Sequence, residues 1–219
     1  MSNYKSNLTF MKHLLSLIVI LCFSLFLGFS QQKPESSMKK ALILIDIQND
    51  YFENGRMPLV GSVEASLNVR QIIDKFRADG SSIIHIQHIA ERPASTFFVP
   101  QTKGSDIHDN VKPIADEKVI IKHYPNGFRE TELLDYPKSN DITDLVICGM
   151  MTHMCVDATV RAAKDFGFNC VVISDACATR DLEINGETVK AAEVHKSFLA
   201  AFNGFYASIK TTKEYLEGK

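Results

Sequence analysis

Leu145-Val-Ile-Cys-Gly-Met-Met-Thr-His-Met-Cys155-Val-Asp-Ala-Thr159 is the stretch on which the rest of the chain turns. Leu145 to Cys148 is a short apolar run, the mark of a buried strand, and Gly149 is expected to end it. Beyond the turn, Val156, Val160, Ala163 and Phe166 recur at helical spacing, and Gly167 supplies a stop. Cys155 therefore falls near the start of a helix. The partial positive charge there favours a thiolate and predicts a thiol of depressed pKa. A strand that turns sharply into a helix bearing a nucleophile is a known catalytic arrangement. A free thiol packed as a small hydrophobe is the competing account of the same residue.

Working outward, Ala41-Leu-Ile-Leu-Ile45 is apolar throughout, as for a strand covered on both faces. Asp46 ends it, followed by Ile-Gln-Asn-Asp50-Tyr-Phe52. A carboxylate there is either a costly buried charge with partners or a loop-capping residue. Ser62 is placed to cap a helix whose Ala65, Val69, Ile72, Ile73 and Phe76 share a face. Ser82 to Ile89 is the second strand and Lys118 to Lys122 the third. Lys122 is either a solvated strand-end charge or the partner of a buried carboxylate. Helices are expected over 129–134 and 187–201, with a fifth strand at Cys170–Ser174 and a last short one over 204–209. His195, on the latter helix, is read as a packed surface histidine. Strands alternating with helices give the α/β class with a parallel sheet.

His85 and His88 are three apart on a strand and point to opposite faces, so they cannot share a metal there. His108 has no Asp-x-His or His-x-His pair beside it, and no metal or cofactor is expected. His88 is instead a polar wall or loop anchor. The connection over 90–117 is long enough to suggest function; its Phe97 and Phe98 either line a site or pack within the loop.

The bulk numbers bound the answer. The 219 residues suit one domain with a sizeable core. With 24 Lys plus Arg against 26 Asp plus Glu there is no basic excess for nucleic acid. Lys5 and Lys12 precede an apolar run from Leu14 to Phe29, and Gly28-Phe29-Ser30 offers small residues before Gln31. This is a signal-peptide pattern over 1–30, with 31–40 as a polar linker and 41–219 as the folded domain. The expectation is export to the periplasm or beyond, without stable membrane insertion after cleavage. Cys148, Cys155, Cys170 and Cys177 remain in the mature part. Two of them sit inside apolar runs, and free thiols are expected rather than disulfides. No Cys-x-x-Cys pair supports a redox role.

In a parallel sheet, ligands bind beyond the carboxyl ends of the strands. Asp46, Lys122 and Cys155 each follow a different strand, so all three fall on one edge. Nucleophile, base and cation together suit covalent catalysis. From about Ala41 to Lys210 the chain resembles the isochorismatase-like cysteine hydrolases. The resemblance is carried by Asp46-Ile-Gln-Asn-Asp50-Tyr-Phe52, by Lys122, and by Gly149-Met-Met-Thr152-His-Met-Cys155-Val156. It implies a three-layer α/β/α fold on a six-stranded sheet in the order 3-2-1-4-5-6. It implies a Cys155, Asp46, Lys122 triad, a cis peptide between Met150 and Met151, and an oxyanion site at the Met151 and Cys155 amides. Its wording over Gly149–Asp157 and Asp175–Glu183 is nearest the streptothricin hydrolase branch. The implied substrate is a small amide or cyclic amide, contacted by residues such as Phe52, His88, Phe98, Phe128, Met150 and Met154, in a homo-oligomer. Nicotinamidases carry Asp-x-His after the second strand where this chain has His88-Ile-Ala-Glu-Arg, which weighs against nicotinamide. A non-catalytic binding protein on the same scaffold is the alternative from another class.

Overall fold

Lys39–Ile45 forms β1, buried from Ala41 onward as an apolar run without alternation requires. The computed structural model describes residues 39–219. The expected signal sequence lies outside the described residues, and the expected linker overlaps them only at Lys39 and Lys40, which already belong to β1. Next comes α1 (Ser62–Ala78), whose Ala65, Val69, Ile72, Ile73 and Phe76 are all buried. Gly61, in the left-handed region at φ 74°, is its N-cap; Ser62 is the first helical residue and makes no capping bond.

Strands β2 (Ser82–His88) and β3 (Lys118–Lys122) follow, then a short α2 (Asp135–Ser139) and β4 (Ile142–Met150). A π-helical turn over Thr152–Val156 runs into α3 (Asp157–Asp165). The remaining elements are β5 (Asn169–Ala178), a hairpin of β6 (Leu182–Ile184) and β7 (Glu187–Val189), α4 (Ala191–Phe202), β8 (Ser208–Lys210) and α5 (Thr212–Leu216). The main sheet has six strands in the order β3-β2-β1-β4-β5-β8, all neighbours parallel. The alternation of strand side chains divides the core in two. Leu42, Leu44 and Val146 pack under α1, whereas Ile43, Ile45 and Ile147 pack under α3 and α4.

Three local expectations are corrected. Residues 129–134 make turns, because Glu130 sits at φ 56°, where a helix cannot propagate. The helix expected from 187 starts at Ala191, because Asn185-Gly186 closes the β6–β7 hairpin with both residues at positive φ. Gly149 does not end β4, which runs on to Met150. At φ 133°, a Cβ on Gly149 would lie 2.1 Å from the Ile45 carbonyl oxygen, so the side chain is excluded by the neighbouring strand.

Candidate active site

β1, β3 and β4 each deliver one reactive group to the carboxyl edge of the sheet. Asp46 directly follows β1 at φ 51°, a left-handed conformation that aspartate tolerates, and its N–H donates to the Ile86 carbonyl at 3.0 Å. Lys122 is the last residue of β3, which is not adjacent to β1. Its stem crosses β2, and its ammonium meets Asp46 Oδ2 at 2.7 Å with both side chains fully buried. Cys155 lies in the π turn, with its Sγ 3.4 Å from Lys122 Nζ. The three sequence-predicted catalytic residues therefore meet at one point.

The electrostatics follow from this packing. Burial alone would pull the Lys122 ammonium down, but Asp46 and Cys155 beside it outweigh burial and its pKa is raised. Burial pushes the Cys155 thiol up; the Asp46 carboxylate pushes the same way, and Lys122 offsets only part. This corrects the expectation of a depressed thiol pKa. A helix N-terminus is worth little against the loss of solvent around a side chain this buried. The resting sulfur is a thiol, and it needs a base. Asp46 Oδ1 is buried without a hydrogen-bond partner, while a carboxylate oxygen of Asp46 and Cys155 Sγ lie within 4.8 Å of each other. The Asp46 carboxylate thus lies close to the Cys155 thiol.

Asp46, His88 and Cys155 present ligand atoms within 4.8 Å of one another, as metal ligands would. The cation already among them is Lys122, at 2.7 Å from Asp46, 2.9 Å from His88 Nδ1 and 3.4 Å from Cys155. The peptide between Met150 and Met151 is cis. Met154 and Val156 N–H both donate to the Met151 carbonyl, at 3.0 and 3.2 Å, while the Met151 amide meets no acceptor among the described residues.

The other predicted contacts fall in different places. Phe98 is fully buried, with its ring 5.6 Å from that of His88 and 4.8 Å from that of Tyr51. Phe128 packs on Phe166 and Phe168, in the hydrophobic layer that also holds Cys155. Met150 is buried in the opposite layer, and Met154 is exposed. Phe52 stacks on His108 with centroids 3.6 Å apart and lines a cavity with Arg56 and Lys103, to which none of the triad contributes.

Several supports carried no usable signal in the sequence. Gln48 imitates a strand: its amide accepts from His88 N–H and donates to the His88 and Ser105 carbonyls, each at 2.8 Å. Asp50 accepts the Phe98 N–H at 2.6 Å and so ties the 90–117 loop to the sheet edge. Gly104 belongs to the same tie, since a Cβ there would lie 2.2 Å from the Asp50 carboxylate. Thr152 Oγ1 contacts His195 Nδ1 at 2.9 Å and His153 Nδ1 contacts Thr179 Oγ1 at 2.5 Å, fastening the π turn to α4 and to the end of β5. His195 is thus a support of the turn rather than a surface residue. The four cysteines among the described residues are free and buried.

The sequence profile of the isochorismatase domain matches residues 40–202. This chain belongs to the isochorismatase family. An isochorismatase family protein of Bacillus subtilis, YddQ, is 47% identical over 180 residues, covering 82% of this chain and all of the relative. A streptothricin hydrolase of Streptomyces noursei is 32% identical over 143 residues, 65% of this chain and 56% of its own length. A crystal structure from Oleispira antarctica described as an isochorismatase hydrolase superimposes with a TM-score of 0.79 at 42% identity, covering 84% of this chain and 98% of that one. The isochorismatase-family fold and the hydrolase class stand on these matches together with the six-stranded parallel sheet.

Proposed function

We propose that this isochorismatase-family protein hydrolyses a C–N bond, in an amide or cyclic amide, of a small molecule through a thioester on Cys155. One observation carries the reading: a buried thiol, a buried carboxylate and the ammonium paired with it share one point at the sheet edge. Asp46 takes the thiol proton as sulfur attacks the carbonyl carbon. Lys122 is paired with the buried carboxylate beforehand and balances the charge on sulfur as the proton leaves. The Met151 and Cys155 backbone N–H groups donate to the developing oxyanion, each typically worth about 3 kcal/mol. The tetrahedral intermediate collapses, the C–N bond breaks, and Asp46 returns its proton to the leaving nitrogen. Asp46 then draws a proton from water, which attacks the thioester and frees the acid and the thiol. The name of the streptothricin hydrolase relative, which spans little more than half of that protein's length in common with this chain, agrees with this bond class. A panel of linear amides and lactams tests it: turnover of any member must vanish in Cys155→Ala, and turnover retained in that variant removes the proposal.

A further inference from the structure

The chain just past β5 runs along the same sheet edge as the triad. Ala178, the last residue of β5, is the register partner of Met150 at the cis peptide. Thr179 then fastens the π turn through His153 and accepts the Val60 N–H on its carbonyl. Arg180 therefore starts beside the turn that carries Cys155. Its Nε is buried with no hydrogen-bond partner. The adjacent Asp181 is engaged elsewhere, by the Lys190 ammonium at 2.9 Å and the Ala191 N–H at 2.7 Å. A buried donor left without an acceptor is costly, and a ligand that supplies the acceptor relieves it.

Tyr51 is a second donor of this kind. It is almost fully buried, with its ring 4.8 Å from that of Phe98 and 6.2 Å from that of Phe97. Among the described residues its hydroxyl makes no hydrogen bond. The hydroxyl lies within reach of the charges of Cys155, Asp46 and Arg180. Burial first, then Cys155 and Asp46, hold its pKa well above the ordinary value, so it keeps its proton through the neutral range.

The surroundings set what such a pair of donors can hold. A guanidinium only donates, and a protonated tyrosine hydroxyl donates readily, so the matching group carries acceptor oxygens. Asp46 and Lys122 offset each other's charge at 2.7 Å. His88, whose pKa burial pulls down to about 4, is neutral, and burial and Arg180 both draw His153 toward its neutral form. The Arg180 charge is left over, and a carboxylate is the planar anion that fits a guanidinium fork.

We propose that Arg180 and Tyr51 form a carboxylate subsite beside Cys155, so that the substrate is a short amide with a carboxylate at its other end. The choice of an amide rests on the proposed chemistry of Cys155; the subsite itself is read by binding, without turnover.

The test is calorimetric binding to Cys155→Ala at pH 7.5, in which Arg180 and Tyr51 are intact and hydrolysis is blocked. Malonamate, succinamate and glutaramate are compared with the neutral malonamide, succinamide and glutaramide. At least one acid is expected to bind about tenfold or more tighter than its diamide. Adding Arg180→Met is expected to bring the two within about twofold, and adding Tyr51→Phe to weaken the acid by about threefold or more. Diamides that bind as well as the acids, no acid binding at millimolar concentration, or a preference that survives Arg180→Met overturns the proposal. Should Arg180→Met not fold, the comparison of acid with diamide and the Tyr51→Phe result still decide. Amides cut by the wild-type protein with no preference for acids remove the subsite and leave the thioester chemistry standing. Acids that bind with the expected preference while no amide is cut support the subsite and remove that chemistry.

Discussion

Replacing Lys122 with methionine strands a buried carboxylate. At 2.7 Å, Coulomb's law with an effective dielectric near 20 gives roughly 6 kcal/mol of attraction between Asp46 and Lys122. Desolvation of both charges takes part of that back, and removing one partner of such a pair typically costs about 3–5 kcal/mol. The cost must depend on pH. In the variant, the folded protein relieves the stranded charge by binding a proton that the unfolded chain does not hold, so stability is retained at low pH and lost as pH rises. Relative to wild type, the loss should be small near pH 4, grow by about 1.4 kcal/mol per pH unit, and level off near pH 7. The wild-type ammonium has the opposite range: its pKa is raised, so its contribution is complete below the ordinary lysine value and fades only as pH climbs past it. Urea unfolding of both proteins between pH 4 and 8, with Asp46→Asn/Lys122→Met as a control lacking both charges, measures this. The double variant should recover most of the lost stability. A Lys122→Met cost below about 1 kcal/mol, or one equal at pH 5 and pH 8, would refute the buried-pair argument.

Other consequences follow from the same geometry. Because burial and Asp46 hold the Cys155 thiol up, its alkylation in the free protein should keep accelerating through pH 7 to 9 without the early plateau of a low-pKa thiolate, as a stopped time course by mass spectrometry will show. Gly149→Ala sets a methyl against the Ile45 carbonyl at a backbone angle foreign to alanine; it should cost about 3 kcal/mol or more, read by urea unfolding. Asp50→Ala releases the Phe98 N–H; a loss of about 1–3 kcal/mol and new cleavage by trypsin after Lys103 are expected, and an unaltered digest would count against the tie.

The strands were legible because they are apolar runs bounded by polar residues, and Lys118–Lys122 was read residue for residue. Strand order was not legible from spacing; it came with the resemblance carried by the Asp46, Lys122 and Cys155 motifs. Asn185-Gly186 is the turn of the β6–β7 hairpin, and the helix behind it begins only at Ala191. The turns at 129–134 gave no warning, since nothing in Glu130 announces a left-handed backbone. The triad residues could be named because each lies at or just beyond the end of a strand on the same edge. Their protonation could not, because the Cys155 thiol answers to burial by residues far away in sequence rather than to its place on a helix. The supports were hidden for the same reason: Thr152 and His195 are 43 residues apart, and Gln48 acts on a strand 40 residues away.

The account stands on sulfur becoming acylated. Rapid-quench mass spectrometry of the wild-type protein, with the best amide found in the panel, should show the acyl fragment on the peptide containing Cys155, as a hydroxylamine-labile thioester that forms no faster than amine is released. A fully active enzyme whose acyl label sits on another residue would contradict it, as would turnover at the full rate in which amine departs while water attacks the carbonyl directly.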